Sequence, residues 1–226
     1  MNSLIVLATP HRRYDALHAA LKAADIDYAW LRSPAELTAA RLAELKPRYV
    51  FFPHWSWTIP AEIYENYECV VYHMTDLPFG RGGSPLQNLI VRGFTETRVS
   101  ALRCCAGIDA GPIYLKAPLS LLGTAEEILT RAAEVMSAMM MTIIKTNPVP
   151  VPQAGEPTLF KRRRPEDGDL GDLDDLDKAY DYIRMLDGEG YPPAFVETDH
   201  LRFEFTGAAP APGEIRANVR IVRKAP

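Results

Sequence analysis

The chain has 226 residues, of which 47% are apolar and 24% charged, with a formal net charge of −4. That length buries a sizeable core in one domain, or in one domain with a small appendage, and the composition excludes a disordered or fibrous chain. The slight acidity argues against a protein that grips nucleic acid through its phosphates, and no apolar run approaches the ~20 residues of a membrane span.

The opening segment MNSLIVLATP carries neither a basic leader nor a small-residue cleavage site, so Ser3 to Ala8 reads as a first buried strand rather than a signal peptide. A helix is expected over Tyr14 to Ala24 and a short strand over Tyr28 to Leu31. Ser33 with Glu36 caps a helix running to about Leu45. A strand over Tyr49 to Phe52, a short helix over Ile59 to Asn66 and a buried strand over Cys69 to His73 follow. Continuous apolar strands alternating with helices predict an α/β fold with a Rossmann-like, mostly parallel sheet covered on both faces. Such sheets bind ligands at the carboxyl ends of their strands. Val99 to Cys105 and Ile113 to Leu121 are strand-like. Thr124 and Glu127 form a capping box ahead of a long helix whose Ile128, Ala132, Val135, Met136, Met139 and Ile143 share one face. That stripe is a core face rather than a binding groove.

Composition changes at the proline-rich stretch Asn147 to Pro152, which predicts a catalytic domain over 1–150 and a small C-terminal α+β element over 151–226. The second part holds a basic cluster, Lys161 to Arg164, then an acidic run to Asp177. A helix is expected near Tyr180 to Leu186, with strands over Leu201 to Phe205 and Glu214 to Val222. Cys69, Cys104 and Cys105 are odd in number, and two are adjacent. They suit a reducing cytoplasm rather than a disulfide framework or a zinc cage, and no metal-ligand cluster is visible.

The densest chemistry lies in His73-Met74-Thr75-Asp76-Leu77-Pro78-Phe79-Gly80-Arg81-Gly82-Gly83-Ser84-Pro85. A histidine ends a buried strand, a glycine-rich loop follows, and Ser84-Pro85 opens a helix. Strand, loop and helix in that order suit acid–base chemistry at a strand end. No nucleotide-binding glycine motif occurs. A second segment, Gly107-Ile108-Asp109-Ala110-Gly111, is a tight turn whose acid is either a turn residue or a partner for His73.

Together these segments resemble the N10-formyltetrahydrofolate-dependent formyltransferases, whose signature runs N-x-H-x-S-L-L-P-x-x-R-G-x-x-P ahead of a G-x-D-x-G turn. His73, Leu77, Pro78, Arg81, Gly82 and Pro85 fall on signature positions, Thr75 stands for the serine, and Gly107, Asp109 and Gly111 fall on the turn. The stretch from Phe160 to Asp167, Ile183-Arg184 and Tyr191 to Phe195 also resemble the segment after the catalytic domain in sugar-nucleotide and methionyl-tRNA enzymes. The resemblance implies that His73 manages the proton of an attacking amine while Asp109 orients the imidazole. It implies that Asp109, Leu77, Pro78, Gly107 and Trp55 bind the folate donor, and that Arg81, Gly82, Thr75 and Thr9 face the acceptor. It allows a homodimer.

Val71 stands where the family has a catalytic asparagine. Losing one oxyanion donor costs about 2.7–4 kcal/mol of transition-state stabilisation. His54, Thr75 and Asn88 are the candidates to replace it, with His54 favoured because ends of neighbouring parallel strands converge on one crevice. The short tail and its acidic run point away from tRNA and toward a nucleotide-linked amino sugar for surface polysaccharide. Another amine, on an amino acid, a peptide or a tRNA, is the alternative, as is a non-catalytic folate- or sugar-binding module.

Overall fold

A computed structural model describes residues 4–224; Ser3, placed in the first strand above, lies outside them. In chain order the elements are β1 (Ile5–Ala8), α1 (Asp15–Ala23), β2 (Tyr28–Leu31), α2 (Ala39–Leu45), β3 (Tyr49–Phe52), α3 (Ala61–Tyr64), β4 (Cys69–His73), β5 (Arg81–Gly82) and α4 (Pro85–Ile90). Then come β6 (Glu96–Arg103), β7 (Ile113–Ser120), α5 (Ala125–Thr146), β8 (Leu159–Phe160), α6 (Leu176–Arg184), β9 (Ala194–Glu197), β10 (Leu201–Ala211) and β11 (Glu214–Arg223).

The main sheet has the order β2-β1-β3-β4-β6-β7. Its first four strands pair in parallel, and β6 runs antiparallel to β4, which makes the sheet mostly parallel as expected. The apolar runs are buried on both faces. Val6, Ala8, Val50, Phe52 and Cys69 pack on one face with Leu31, Leu37, Leu42 and Ile63, while Ile5, Leu7 and Phe51 are equally enclosed. Each of the Val, Leu, Ile and Phe side chains contributes about 1.5–3 kcal/mol by leaving water.

By contact the chain forms two compact units. The first comprises residues up to Arg81, Arg98–Leu119 and Thr130–Leu159. The second comprises Gly82–Thr97, Ser120–Leu129 and the chain from Phe160 onward. Within the second, β9, β10 and β11 form an antiparallel sheet in the order β11-β10-β9, with a register shift between Thr206 and Ala209. Buried Arg184 ties this unit together: its Nη1 donates to the carbonyls of Leu121 at 2.6 Å and Gly123 at 3.0 Å, and its Nε to Asp181 at 2.6 Å.

Several local expectations shift. Ser33 does not start a helix, because its hydroxyl donates to the Glu36 carboxylate at 2.9 Å; Thr38 caps α2 instead, accepting from the Arg41 amide at 3.1 Å. Ser84 precedes α4 with φ 49°, and its Oγ accepts from the Arg163 amide at 3.0 Å rather than capping the helix. The proline-rich stretch is tied down, with Ile113 and Val151 exchanging both backbone hydrogen bonds at 2.8 Å. The Thr124–Glu127 capping box forms reciprocally, and Ile128, Ala132, Met136, Met139 and Ile143 of α5 are buried.

Candidate active site

β4 carries Val71 and His73 on one face, since alternate strand residues point the same way. The register sets Phe52 beside Val71 and Ser100 beside His73. The His73 side chain is 7% exposed, and its Nδ1 lies 3.4 Å from Asp109 Oδ2. Its Nε2 lies 2.7 Å from the Gly80 carbonyl. Both ring nitrogens therefore face oxygen acceptors: a neutral ring donates to one of them and a protonated ring to both. A separation of 3.4 Å is loose for a hydrogen bond, as is common in catalytic pairs without substrate.

Asp109 sits in the turn between β6 and β7 in the left-handed region, φ 49°, after Gly107 at φ 100°. Gly111 closes the turn against β6, where a Cβ would fall 1.8 Å from the Arg103 carbonyl oxygen. The loop after His73 is braced by Ser100, whose buried hydroxyl donates to the Thr75 carbonyl at 2.8 Å and accepts from the Leu77 amide at 3.4 Å. Thr75 is fully buried with its hydroxyl on the Gly80 carbonyl at 3.4 Å, and Leu77 is fully buried as well. Thr9 is enclosed too: its hydroxyl accepts from the His11 amide at 3.4 Å and its carbonyl from Trp30 Nε1 at 2.8 Å. All three are buried in the chain, and the resemblance implied ligand contact for them. Arg81 turns its guanidinium onto Gln153, and Gly82 lies where a Cβ would meet the Phe160 carbonyl oxygen at 2.5 Å.

His54 follows β3 with φ 51°. Its Nδ1 is 2.9 Å from the Tyr14 hydroxyl, which also lies 3.2 Å from Met136 Sδ. A phenol has one proton, and an imidazole nitrogen is a better acceptor than a thioether, so Tyr14 donates to Nδ1 and Nε2 carries the N–H. That Nε2 is buried without a partner, as is Nε1 of Trp55. Burial, then Arg13 and His11, pushes His54 down to about 3, so the ring is neutral. Asn88 is engaged elsewhere, donating to the carbonyls of Gly83 and Lys161 at 2.9 and 2.8 Å and accepting from Arg92 at 3.0 Å. Thr75 is committed to Gly80. Of the three candidates to replace the asparagine, His54 alone keeps an unused buried donor.

Sequence reading missed Tyr14, Ser100 and Gln153, which touch the site's residues from positions far away along the chain. No motif marks them. Among the described residues no group of three or more His, Cys, Asp or Glu could hold a metal ion, and no helix is long and apolar enough to cross a membrane.

On this Rossmann-like sheet the histidine of one motif and the aspartate of the other come together, as the resemblance implied. Residues 165–222 match the family model of the methionyl-tRNA formyltransferase C-terminal domain. The structure of a methionyl-tRNA formyltransferase from Clostridium thermocellum is 46% identical, with a TM-score of 0.95 over 98% of this chain and 100% of that one. The chain belongs to the formyltransferase family. A methionyl-tRNA formyltransferase of Gluconobacter oxydans (strain 621H) is 30% identical over 149 residues, 65% of this chain and 48% of the relative. The chain thus spans about half the length of that curated relative. HypX from Aquifex aeolicus, in complex with tetrahydrofolic acid, shares the fold at 18% identity and TM-score 0.77 over 93% of this chain and 38% of that one.

These relatives overturn one expectation. The short acidic-looking tail argued for a nucleotide-linked amino sugar and against nucleic acid, but relatives at 30% and 46% identity bear the name methionyl-tRNA formyltransferase. The tail itself matches that enzyme's C-terminal domain. Net charge is a weak guide to such a partner, because it averages over the whole surface, whereas a polyanion reads local patches.

Proposed function

We propose that the protein transfers a formyl group from N10-formyltetrahydrofolate to a primary amine, and that the amine is the α-amino group of an aminoacylated tRNA. The observation that carries the chemistry is the buried His73 facing Asp109 at 3.4 Å. The likeness to the two named methionyl-tRNA formyltransferases supports the acceptor.

The residues present fit a folate. Gly107 and Ile108, the latter 74% exposed, present an open apolar turn next to Asp109, and Trp55 keeps a buried N–H without a partner. With Asp109 and Pro78, these would hold the donor. When bound, the folate supplies an activated formyl carbon. With Nε2–H donating to the Gly80 carbonyl, His73 takes the proton of the attacking amine at Nδ1 and would pass it to the donor nitrogen released as its bond to the formyl carbon breaks. Asp109 holds the imidazole in orientation and steadies its positive charge, as a carboxylate does for a catalytic histidine. His54 presents a neutral N–H donor of the type Val71 cannot supply, held in one tautomer by Tyr14. Arg81 and Gly82 would face the acceptor. Lys161, Arg162 and Arg164 are exposed and suit contacts to tRNA phosphates.

The test is release of tetrahydrofolate from N10-formyltetrahydrofolate with and without methionyl-tRNA. Release that needs methionyl-tRNA and disappears in His73→Ala and Asp109→Ala supports the reading. Release without any acceptor makes the protein a hydrolase, and donor binding with no release under either condition makes it a binding module.

A further inference from the structure

The chain from Gln153 to Thr158 crosses both halves of the His73–Asp109 pair. Gln153 Nε2 donates to the backbone carbonyls of Asp109 and Gly111, each at 2.8 Å. Its Oε1 accepts from Arg81 Nε at 3.1 Å and Nη2 at 2.7 Å. One amide therefore holds the turn that carries the carboxylate and the arginine of the loop that follows the histidine. Five residues on, Thr158 repeats the arrangement for the other half. Its Oγ1 accepts from the Gly80 amide at 2.7 Å, its carbonyl from the Arg81 amide at 3.0 Å, and its amide donates to the Pro78 carbonyl at 3.3 Å. Gly80 is the residue whose carbonyl meets His73 Nε2.

We infer that Gln153 is a positioning residue, which sets the Asp109 carboxylate against His73 by clamping the carbonyls on either side of Ala110. The inference rests on the formyl-transfer reading of the site. The physical case is geometric. Asp109 stands at φ 49°, where a residue with a Cβ is held only if its surroundings impose it. Gly111 is pinned by its close approach to the Arg103 carbonyl, but a Cβ on Gly107 would meet nothing nearer than Ala110 Cβ at 3.4 Å, so the entry side of the turn is open. Two N–H bonds from one amide hold the carbonyls of Asp109 and Gly111 and so brace the half of the turn that carries the carboxylate. Arg81 fixes the amide's orientation, because its guanidinium has only donors and so selects Oε1. That leaves both N–H groups for the turn. A carboxylate displaced by ~1 Å no longer orients the imidazole, and misplacements of that size cost ~100-fold in rate.

The test uses the full chain with Gln153→Ala and with Gln153→Glu, which keeps the shape and the Arg81 acceptor but loses both N–H donors. Each is made alone and in Asp109→Asn. Both single variants should lower kcat by ~10–100-fold, a larger change than any rise in the donor KM, since the carboxylate's placement against His73 matters most in the transition state. In the Asp109→Asn background Gln153→Glu, which keeps the Arg81 contact, should add less than ~2-fold, because its effect then runs through that carboxylate. The His73 ring 15N chemical shifts, read by NMR at one fixed pH, should move from their wild-type values toward those of Asp109→Asn. Equal losses in both backgrounds, or His73 ring shifts that stay at the wild-type values, would overturn the inference. A wild-type protein without formyl transfer would sink the proposed activity, while the NMR shifts would still decide the clamp. If Gln153→Ala fails to fold, the isosteric Gln153→Glu carries the test.

Discussion

At the scale of single residues, the proposed mechanism divides labour between one ionisable pair and one neutral ring. His73 and Asp109 face each other under partial cover, while His54 is kept neutral by burial, by Arg13 and by His11. A neutral imidazole with Nδ1 taken by Tyr14 is a fixed N–H donor, much as an amide would be. Replacing His54 with Phe keeps the ring and removes the donor, so kcat should fall by ~100–1,000-fold with little change in KM, and adding Val71→Asn should recover part of the loss. Rapid-quench turnover measures it, and undiminished turnover in His54→Phe would remove His54 from the mechanism. His73 and Asp109 were legible in the sequence because their neighbours are constrained: strand end, glycines and a turn. Tyr14 and Ser100 were not, since a tyrosine in a helical stretch and a serine in a strand are ordinary until a partner arrives from another segment.

At the scale of elements, the strands and α5 followed from pattern because burial enforces period. The apolar runs of β1, β3 and β4 are enclosed on both faces, and the α5 stripe repeats at helical spacing. The ends followed less well. Ser33 and Ser84 both carry a capping side chain, yet each hydroxyl is bonded outside the expected cap, one by Glu36 and the other by Arg163. Turn chemistry at Gly111 depends on β6 lying behind it. Alanine there should destabilise the fold by about 1–3 kcal/mol or more, because its Cβ would overlap the Arg103 carbonyl. Gly107→Ala, with φ 100° but open space, carries only a backbone penalty of about 1 kcal/mol. Urea unfolding of the two variants orders them, and a Gly111→Ala protein as stable as Gly107→Ala would contradict the packing described here.

At the scale of the whole molecule, buried titratable groups set the response to acid. His54 has an ordinary value of 6.5 and is pushed down to about 3 in the fold. Below 6.5 the unfolded chain takes a proton there that the folded chain refuses. His54 therefore lowers stability progressively as pH falls from 6.5 toward 3, and has no such effect above 6.5. The melting temperature of the wild type should drop more steeply across that window than that of His54→Gln, and parallel curves would show that His54 is not held neutral. Charge acts at the same scale on the acceptor. Changing Lys161 and Arg162 to Glu should weaken methionyl-tRNA binding and reduce the slope of log K against log salt by about 1 for each lost phosphate contact. An unchanged slope would remove the cluster from the interface. By itself the sequence determined the α/β class, the buried strands, the long capped helix and the two motifs that carry His73 and Asp109, since burial and backbone restriction act on neighbours along the chain. Only the tertiary structure decided that these two side chains meet, that Gln153 and Tyr14 hold their partners, and that Leu77, Thr75 and Thr9 are buried. Contacts between residues tens of positions apart depend on how the strands are ordered in the sheet, and local periodicity does not encode that order.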